Sequence, residues 1–305
     1  MLTDKPGKIA EGLYLLGKQI SLMYLAKGKD AMIIGGGMNW VAPLLNEQLD
    51  EFGIKAEDIK YLVIPHPHFD HCGAVPYLKR KYPHMKVLAT EAAKAVLSKQ
   101  KVIDYMEAVN MFMIDHFGVR DQYEKLNLKI DSIMIDQTVN DSTVIDLGNG
   151  LEVHFIETPG HSPGDISVYI PGLKALFPSD AAPCPLGYID KLAMPSPQYD
   201  FILYKESLRK LAAYDVDICG YDHNVVITGR DAKRVLLSSV QMVEDYEKRI
   251  VDMYKERGDF EQTFRWVARE RLKIDGFTFL NEDLMLPVAR AEVRNILKAS
   301  GIDAG

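Results

Sequence analysis

The sequence predicts an α/β fold with an appended C-terminal helical module. Three observations predict it. Short apolar runs of strand length alternate with segments of helical period up to about residue 230. One of these runs, Tyr61–Ile64, ends abruptly in imidazoles and a carboxylate, which places polar groups at a sheet edge. After Gly229 the strand signal stops and amphipathic helical spacing takes over.

Taken in order, Leu13–Leu16, Ser21–Leu25 and Ala31–Ile34 are apolar strands separated by Gly/Lys turns, an antiparallel opening. Gly35-Gly36-Gly37 stops the third. Val41, Leu44, Leu45, Leu49 and Phe52 recur at helical spacing, with Gly53 as the stop. The strand Tyr61–Ile64 leads into a His/Asp loop, then a helix through Ala74, Val75 and Leu78 that Tyr82-Pro83 ends. Val87–Ala89 is the next strand and 91–98 the next helix, so strand, loop, helix and strand layer as α/β. Residues 100–135, with Met106, Met111, Phe112, Met113 and Phe117, are expected to be helical and packed in the core, a substrate-facing lid being the rival reading. Gly148-Asn149-Gly150 between Thr143–Leu147 and Leu151–Glu157 signals a hairpin. Strands Ile166–Ile170 and Ala175–Phe177 follow across a Pro-Gly turn. Beyond Gly229, Leu236, Val240, Val243, Ile250 and Tyr254 mark a long amphipathic helix capped by Gly258. Phe260, Phe264 and Val267 suggest a second helix, and 288–299 a third. The expected division is therefore a catalytic domain over 1–230 and a helical extension over 231–305.

Composition narrows the function classes. A net charge of −7 over 305 residues, without a dense Lys/Arg stripe, argues against nucleic acid as the main ligand. Lys79-Arg80-Lys81 reads as a solvated helix end. No apolar run approaches the ~18 residues of a membrane span, and Met1–Pro6 lacks the apolar region of a signal peptide. Cys72, Cys184 and Cys219 are too scattered for a disulfide framework. The expectation is a cytoplasmic protein with no membrane partner.

The chemistry is concentrated in His66-Pro67-His68-Phe69-Asp70-His71. Side chains two apart on an extended segment point the same way, so His66 and His68 can grip one ion. Asp70 and His71 face a neighbouring position, which allows a second. Each ion needs further ligands, and three segments offer them after apolar strands: His161 in Glu157–Gly164, Asp180 in Leu176–Asp180, and His223 in Asp217–His223. The plainer readings are that Ser179-Asp180 starts a turn and that Asp222 rivals His223 or orients it. Cys72 reads as a packing thiol, His84, His116 and His154 as structural, and Tyr188 and Tyr221 as packing residues. Imidazole and carboxylate donors suit Zn, Fe or Mn, and the lack of Cys among them argues against a structural zinc site.

The H-x-H-x-D-H run, the T-P-G-H-S-P-G box and the later Asp and His resemble, in order, the metallo-β-lactamase-fold superfamily over roughly residues 10–230. The second box is typical of its glyoxalase II-like hydrolases. The helical tail and the H-x-H-x-D-H-C-G run more loosely resemble the quinolone-signal-response thioesterase branch. The resemblance implies an αββα sandwich with two divalent ions at its end. His66, His68 and His161 would hold the first, Asp70, His71 and His223 the second, with Asp180 bridging and Asp70 counted among the catalytic groups. It further implies attack of a metal-bridging hydroxide on a thioester, or next a lactone or other carboxylic ester. The partner expected is a small-molecule ester or thioester, the Met/aromatic segment and the tail helices walling an apolar pocket. The tail helices are also a candidate homodimer surface. A diiron redox or oxygen-binding protein, a phosphodiesterase and a ligand-binding regulator are the rivals. The chain departs from the family pattern at Gly35-Gly36-Gly37, where Asp-x-Gly is common, at Pro65 in place of Thr, and at Asp222, where Gly usually precedes the last His.

Overall fold

Two faces of alternating buried side chains run along the strands of this protein, and they dictate four layers. The computed structural model describes residues 1–274 and 281–303. The first half of the chain runs β1 (Leu2–Thr3), β2 (Gly7–Ala10), β3 (Leu13–Lys18), β4 (Ser21–Lys27), β5 (Ala31–Ile34), α1 (Ala42–Glu51) and β6 (Ile59–Val63). It continues through α2 (Phe69–Cys72), α3 (Val75–Lys81), β7 (Lys86–Ala89), α4 (Glu91–Leu97), α5 (Gln100–His116), α6 (Arg120–Lys125) and β8 (Gln137–Thr138). The second half runs β9 (Val144–Asp146), β10 (Glu152–Glu157), β11 (Ile166–Ile170), β12 (Ala175–Phe177), α7 (Phe201–Ala212), β13 (Ile218–Gly220) and β14 (Val226–Thr228). The helices α8 (Arg230–Arg257), α9 (Phe260–Ile274) and α10 (Glu282–Ala299) complete it.

One sheet has the order β2-β3-β4-β5-β6-β7-β8, antiparallel as far as β5 and parallel beyond it. The other has the order β1-β14-β13-β12-β11-β10-β9, in which only β12 and β13 are parallel. Strand β4 shows how sequence sorts the layers. Leu22, Tyr24 and Ala26 face the second sheet and meet the cluster of Phe155, Val168 and Phe177. Met23 and Leu25, on the opposite face, join Leu45, Val75 and Met113 beneath the helices of the first half. The outer face of the second sheet is covered by α7 and α8 through Leu208 and Leu236, and α9 and α10 pack on those helices through Val267 and Val293. Each such large apolar side chain contributes about 1.5–3 kcal/mol when buried. The αββα sandwich expected from the resemblance is present, with helices over 230–299 packed on its second half.

Three differences from the sequence reading have local causes. Helix does not persist to residue 135. Gly118 and Asn127 adopt positive φ of 64° and 49°, and Leu128 and Ile130 then alternate, buried, with exposed Lys129 and Asp131 as in extended chain. Helix α7 was not anticipated, although Phe201, Tyr204, Leu208 and Leu211 repeat at helical spacing and are buried. Helix α10 begins at Glu282 rather than 288, because Asn281 accepts the Leu284 N–H at 2.9 Å and caps it. Residues 275–280 and 304–305 of the expected extension lie outside the described residues. Among the described residues, no helix is long and apolar enough to cross a membrane.

Candidate metal centre

The predicted site residues stand on loops leaving β6, β10, β12 and β13. Strands β10 and β12 each run antiparallel to β11, and β12 runs parallel to β13, so the last three loops emerge at one edge. The two sheets are locked there by backbone bonds from Ile166 N to Pro65 O at 2.8 Å and from Leu22 N to Asp222 O at 2.8 Å. The turn that presents His161 needs glycine. A Cβ on Gly160, at φ +145°, would lie 2.4 Å from the backbone of Tyr204 in α7.

All seven predicted residues converge. His66, His68 and His161 have ligand atoms within 4.8 Å of one another, as do His66, His71 and Asp180, and Asp70, His71 and His223. Asp180 Oδ2 lies 3.4 Å from His161 Nε2, 3.6 Å from His71 Nε2 and 3.8 Å from His66 Nε2, so it sits between the outer groups. Asp70 Oδ2 lies 3.5 Å from His71 Nε2 and 3.6 Å from His223 Nε2.

Hydrogen bonding fixes which ring nitrogens carry lone pairs. His161 Nδ1 donates to Ser196 O at 2.7 Å, and His223 Nδ1 donates to Ile20 O at 2.8 Å. His71 Nδ1 donates to Asp222 Oδ2 at 3.0 Å. Ser179 Oγ spends its proton on the same carboxylate at 2.6 Å, so at 3.2 Å it can only accept from His66 Nδ1. In neutral rings, all four Nε2 atoms then present lone pairs to the centre. Two contacts expose the consequence. His71 Nε2 meets His223 Nε2 at 3.1 Å, and His161 Nε2 meets His68 Nδ1 at 3.0 Å. A proton or a metal cation shared between the facing nitrogens accounts for such separations. His66 Nε2 is buried and has no hydrogen-bond partner among the described residues. The donor set therefore fits divalent metal.

Burial, reinforced by neighbouring imidazoles, holds His66 well below its usual range and His68 down to about 3, keeping both rings neutral. Burial pushes the Asp70 and Asp180 carboxyls up, but His71 and the other histidines outweigh it and hold both below the usual carboxylate range. His71 is raised: burial opposes its charge, and Asp70 and Asp180 overcome that.

Two of the departures from the family pattern, Gly35 and Asp222, meet in space. Asp222 is buried and anchors His71 and Ser179, which makes it an orienting partner rather than a rival ligand. Its Oδ1 lies 3.8 Å from where a Cβ on Gly35 would stand, so the carboxylate occupies the ground toward which a side chain at position 35 would project. Cys72 is a buried thiol bonded to His68 O, and burial pushes its pKa up, as a packing role requires. His84, His116 and His154 bond or pack elsewhere. Tyr221 is buried as expected, whereas Tyr188, also expected to pack, is 74% exposed.

Beside the cluster lies a cavity of about 420 Å³. Phe69, Met106 and Val109 wall one side, and Leu284, Met285 and Val288 of α10 wall another. Met106 thus serves both core and cavity, and the tail does line the site. The sequence reading missed Ser179, Ser196, Tyr204, Arg271 and Glu292, which act behind or beside the predicted ligands. Only the period of α7 could have flagged one of them, Tyr204.

The chain is 27% identical over 175 residues to a metallo-beta-lactamase fold-containing protein, ST1585, from Sulfurisphaera tokodaii, covering 56% of this chain and 63% of that one. It is 30% identical over 129 residues to the anaerobic nitric oxide reductase flavorubredoxin of Vibrio vulnificus, covering 42% of this chain and 20% of that one. It is 29% identical over 111 residues to glyoxylase B2 of Dictyostelium discoideum, covering 36% and 32%. The chain therefore spans less than two thirds of the length of these relatives. A solved metallo-beta-lactamase from Cronobacter sakazakii superposes with a TM-score of 0.60 at 20% identity, covering 82% of this chain and 98% of that one. Likeness at that identity shows the fold alone. The Metallo-beta-lactamase superfamily profile matches residues 16–223, from within β3 to the last histidine of the cluster, and with two sheets and His/Asp loops in the matching order this chain belongs to that superfamily.

Proposed function

We propose that the protein is a metal-dependent hydrolase of thioesters or other carboxylic esters with an apolar acyl or aryl group. The observation that carries the reading is a cluster of imidazoles and carboxylates, their ligand atoms converging within 4.8 Å, that opens onto an apolar cavity. His66, His68 and His161 would hold one divalent ion and Asp70, His71 and His223 a second, with Asp180 between them. Bound there, Zn, Fe or Mn would supply a Lewis acid able to lower the pKa of water from ~15.7 toward neutrality. Asp70 lines the cavity and is held ionised, so it can accept a hydrogen bond from the attacking water. The apolar walls take the acyl group and exclude bulk water. A thiolate, from a thiol of pKa about 8.5, leaves without a proton donor, which suits a cavity with few polar groups.

Among the described residues, the cationic side chain lining the cavity, apart from the histidines, is Arg271, and it is engaged by Glu292 at 2.9 Å, which disfavours a phosphodiester. The flavorubredoxin relatives favour a second reading, a diiron redox protein. Elemental analysis with a panel of thioester, lactone and phosphodiester substrates, alongside dioxygen and nitric oxide consumption, tests both. Hydrolysis of the thioester, abolished in His68→Ala, is the expected result. Gas consumption without hydrolysis would replace this reading with the second.

A further inference from the structure

Met194-Pro195-Ser196-Pro197 runs beside the metal centre. Its prolines have no N–H groups, so its shape depends on what its carbonyls and hydroxyl bond to. All four residues are tied to the C-terminal helices. Arg271 of α9 donates from Nη1 to Met194 O at 3.1 Å and from Nη2 to Pro195 O at 2.7 Å. Ser196 Oγ donates to Glu292 of α10 at 2.7 Å, and Asn295 of α10 donates to Pro197 O at 3.0 Å. Arg271 and Glu292 pair through both carboxylate oxygens, at 3.0 Å and 2.9 Å, and both are buried. Ser196 O is the group that accepts the Nδ1–H of His161, at 2.7 Å.

A buried ion pair adds little net stability, because desolvating two charges offsets their attraction. Its placement here has a structural consequence instead. It fixes the carbonyl that sets the tautomer and direction of His161. The superfamily profile ends at residue 223, so the clamp is built by elements beyond the matched region.

We propose that Arg271 and Glu292 are positioning residues that hold His161 through Ser196. Metal retention at the His66, His68 and His161 group then depends on α9 and α10. The proposal rests on the reading of these histidines as metal ligands. It is tested in the full chain loaded with cobalt(II), by the ligand-field absorption spectrum and the rate of cobalt loss to a chelator. The double variant Arg271→Met/Glu292→Leu removes both charges and leaves neither unpaired. Its circular dichroism should match the parent, while part of the cobalt leaves about 10–100-fold faster with a shifted absorption band. Ser196→Ala, which removes the hydroxyl's bonds to Glu292 and Gln198 and keeps the Arg271–Glu292 pair, should fall between the two. An unchanged spectrum and release rate in the folded double variant overturns the proposal. Should the double variant misfold, unchanged release from Ser196→Ala overturns it as well. Failure of the parent protein to take up cobalt overturns the ligand reading itself, and shows before any variant is compared.

Discussion

Replacing Asp222 with Asn removes a negative charge from behind His71 and keeps the side-chain shape. The carboxylate is 6% exposed and its Oδ2 accepts from His71 Nδ1 at 3.0 Å and from Ser179 Oγ at 2.6 Å. A hydrogen bond to a charged group contributes about 1.5–3 kcal/mol and a neutral one about 0.5–1.5 kcal/mol. The exchange therefore weakens the support of His71 and, through Ser179, of His66 by about 1–3 kcal/mol in all. Since about 1.4 kcal/mol is a factor of ten, metal affinity should fall by about five- to 140-fold. Competition titration against a chelator of known affinity reads that fall directly, with circular dichroism confirming the fold. Asp222→Ala, which also abolishes acceptance, should bind more weakly still. Unchanged affinity in a folded Asp222→Asn protein would refute the orienting role.

Further outcomes follow from the same geometry. Gly160→Ala drives a methyl into the Tyr204 backbone, 2.4 Å away, and should destabilise the protein by at least about 2 kcal/mol; an unchanged denaturation midpoint contradicts this. Val288→Trp fills part of the cavity and should raise KM for long-chain acyl thioesters about tenfold more than for acetyl thioesters; equal effects on both would remove α10 from the substrate wall. The folded-state pKa of His68 is pushed down to about 3 from an ordinary 6.5, so its contribution to stability is whole above 6.5 and is lost as pH falls toward 3. Raised His71 acts in the opposite sense, so the test compares variants. Apoprotein melting temperatures of His68→Asn should fall less steeply over that pH window than those of the parent, and parallel slopes would contradict the buried, neutral ring.

Much of this structure was legible because its strands alternate and its ligands cluster. Leu22, Tyr24 and Ala26 against Met23 and Leu25 announce a strand buried on both faces. His66, His68, Asp70 and His71 lie within one loop, so spacing alone brings them together. His161, Asp180 and His223 are far apart in sequence, and their convergence depends on three strands ending at one edge. What the sequence hides are contacts without local pattern. Asp222 and Gly35 are 187 positions apart, and only the fold shows the carboxylate beside the glycine. Arg271 and Glu292 look like surface charges on amphipathic helices, and their burial follows from packing on α7 and the 194–197 segment. Helix α7 was missed because Lys205, Glu206, Arg209 and Lys210 separate its apolar positions and no glycine or proline closes it.

Anomalous diffraction from crystals of the protein loaded with zinc or iron tests the central claim most directly. The account predicts two peaks, one among the inward nitrogens of His66, His68 and His161 and one among Asp70, His71 and His223, each with Asp180 within coordinating reach. Imidazoles that bond only to one another or to water, with no anomalous density between them under saturating metal, would contradict it.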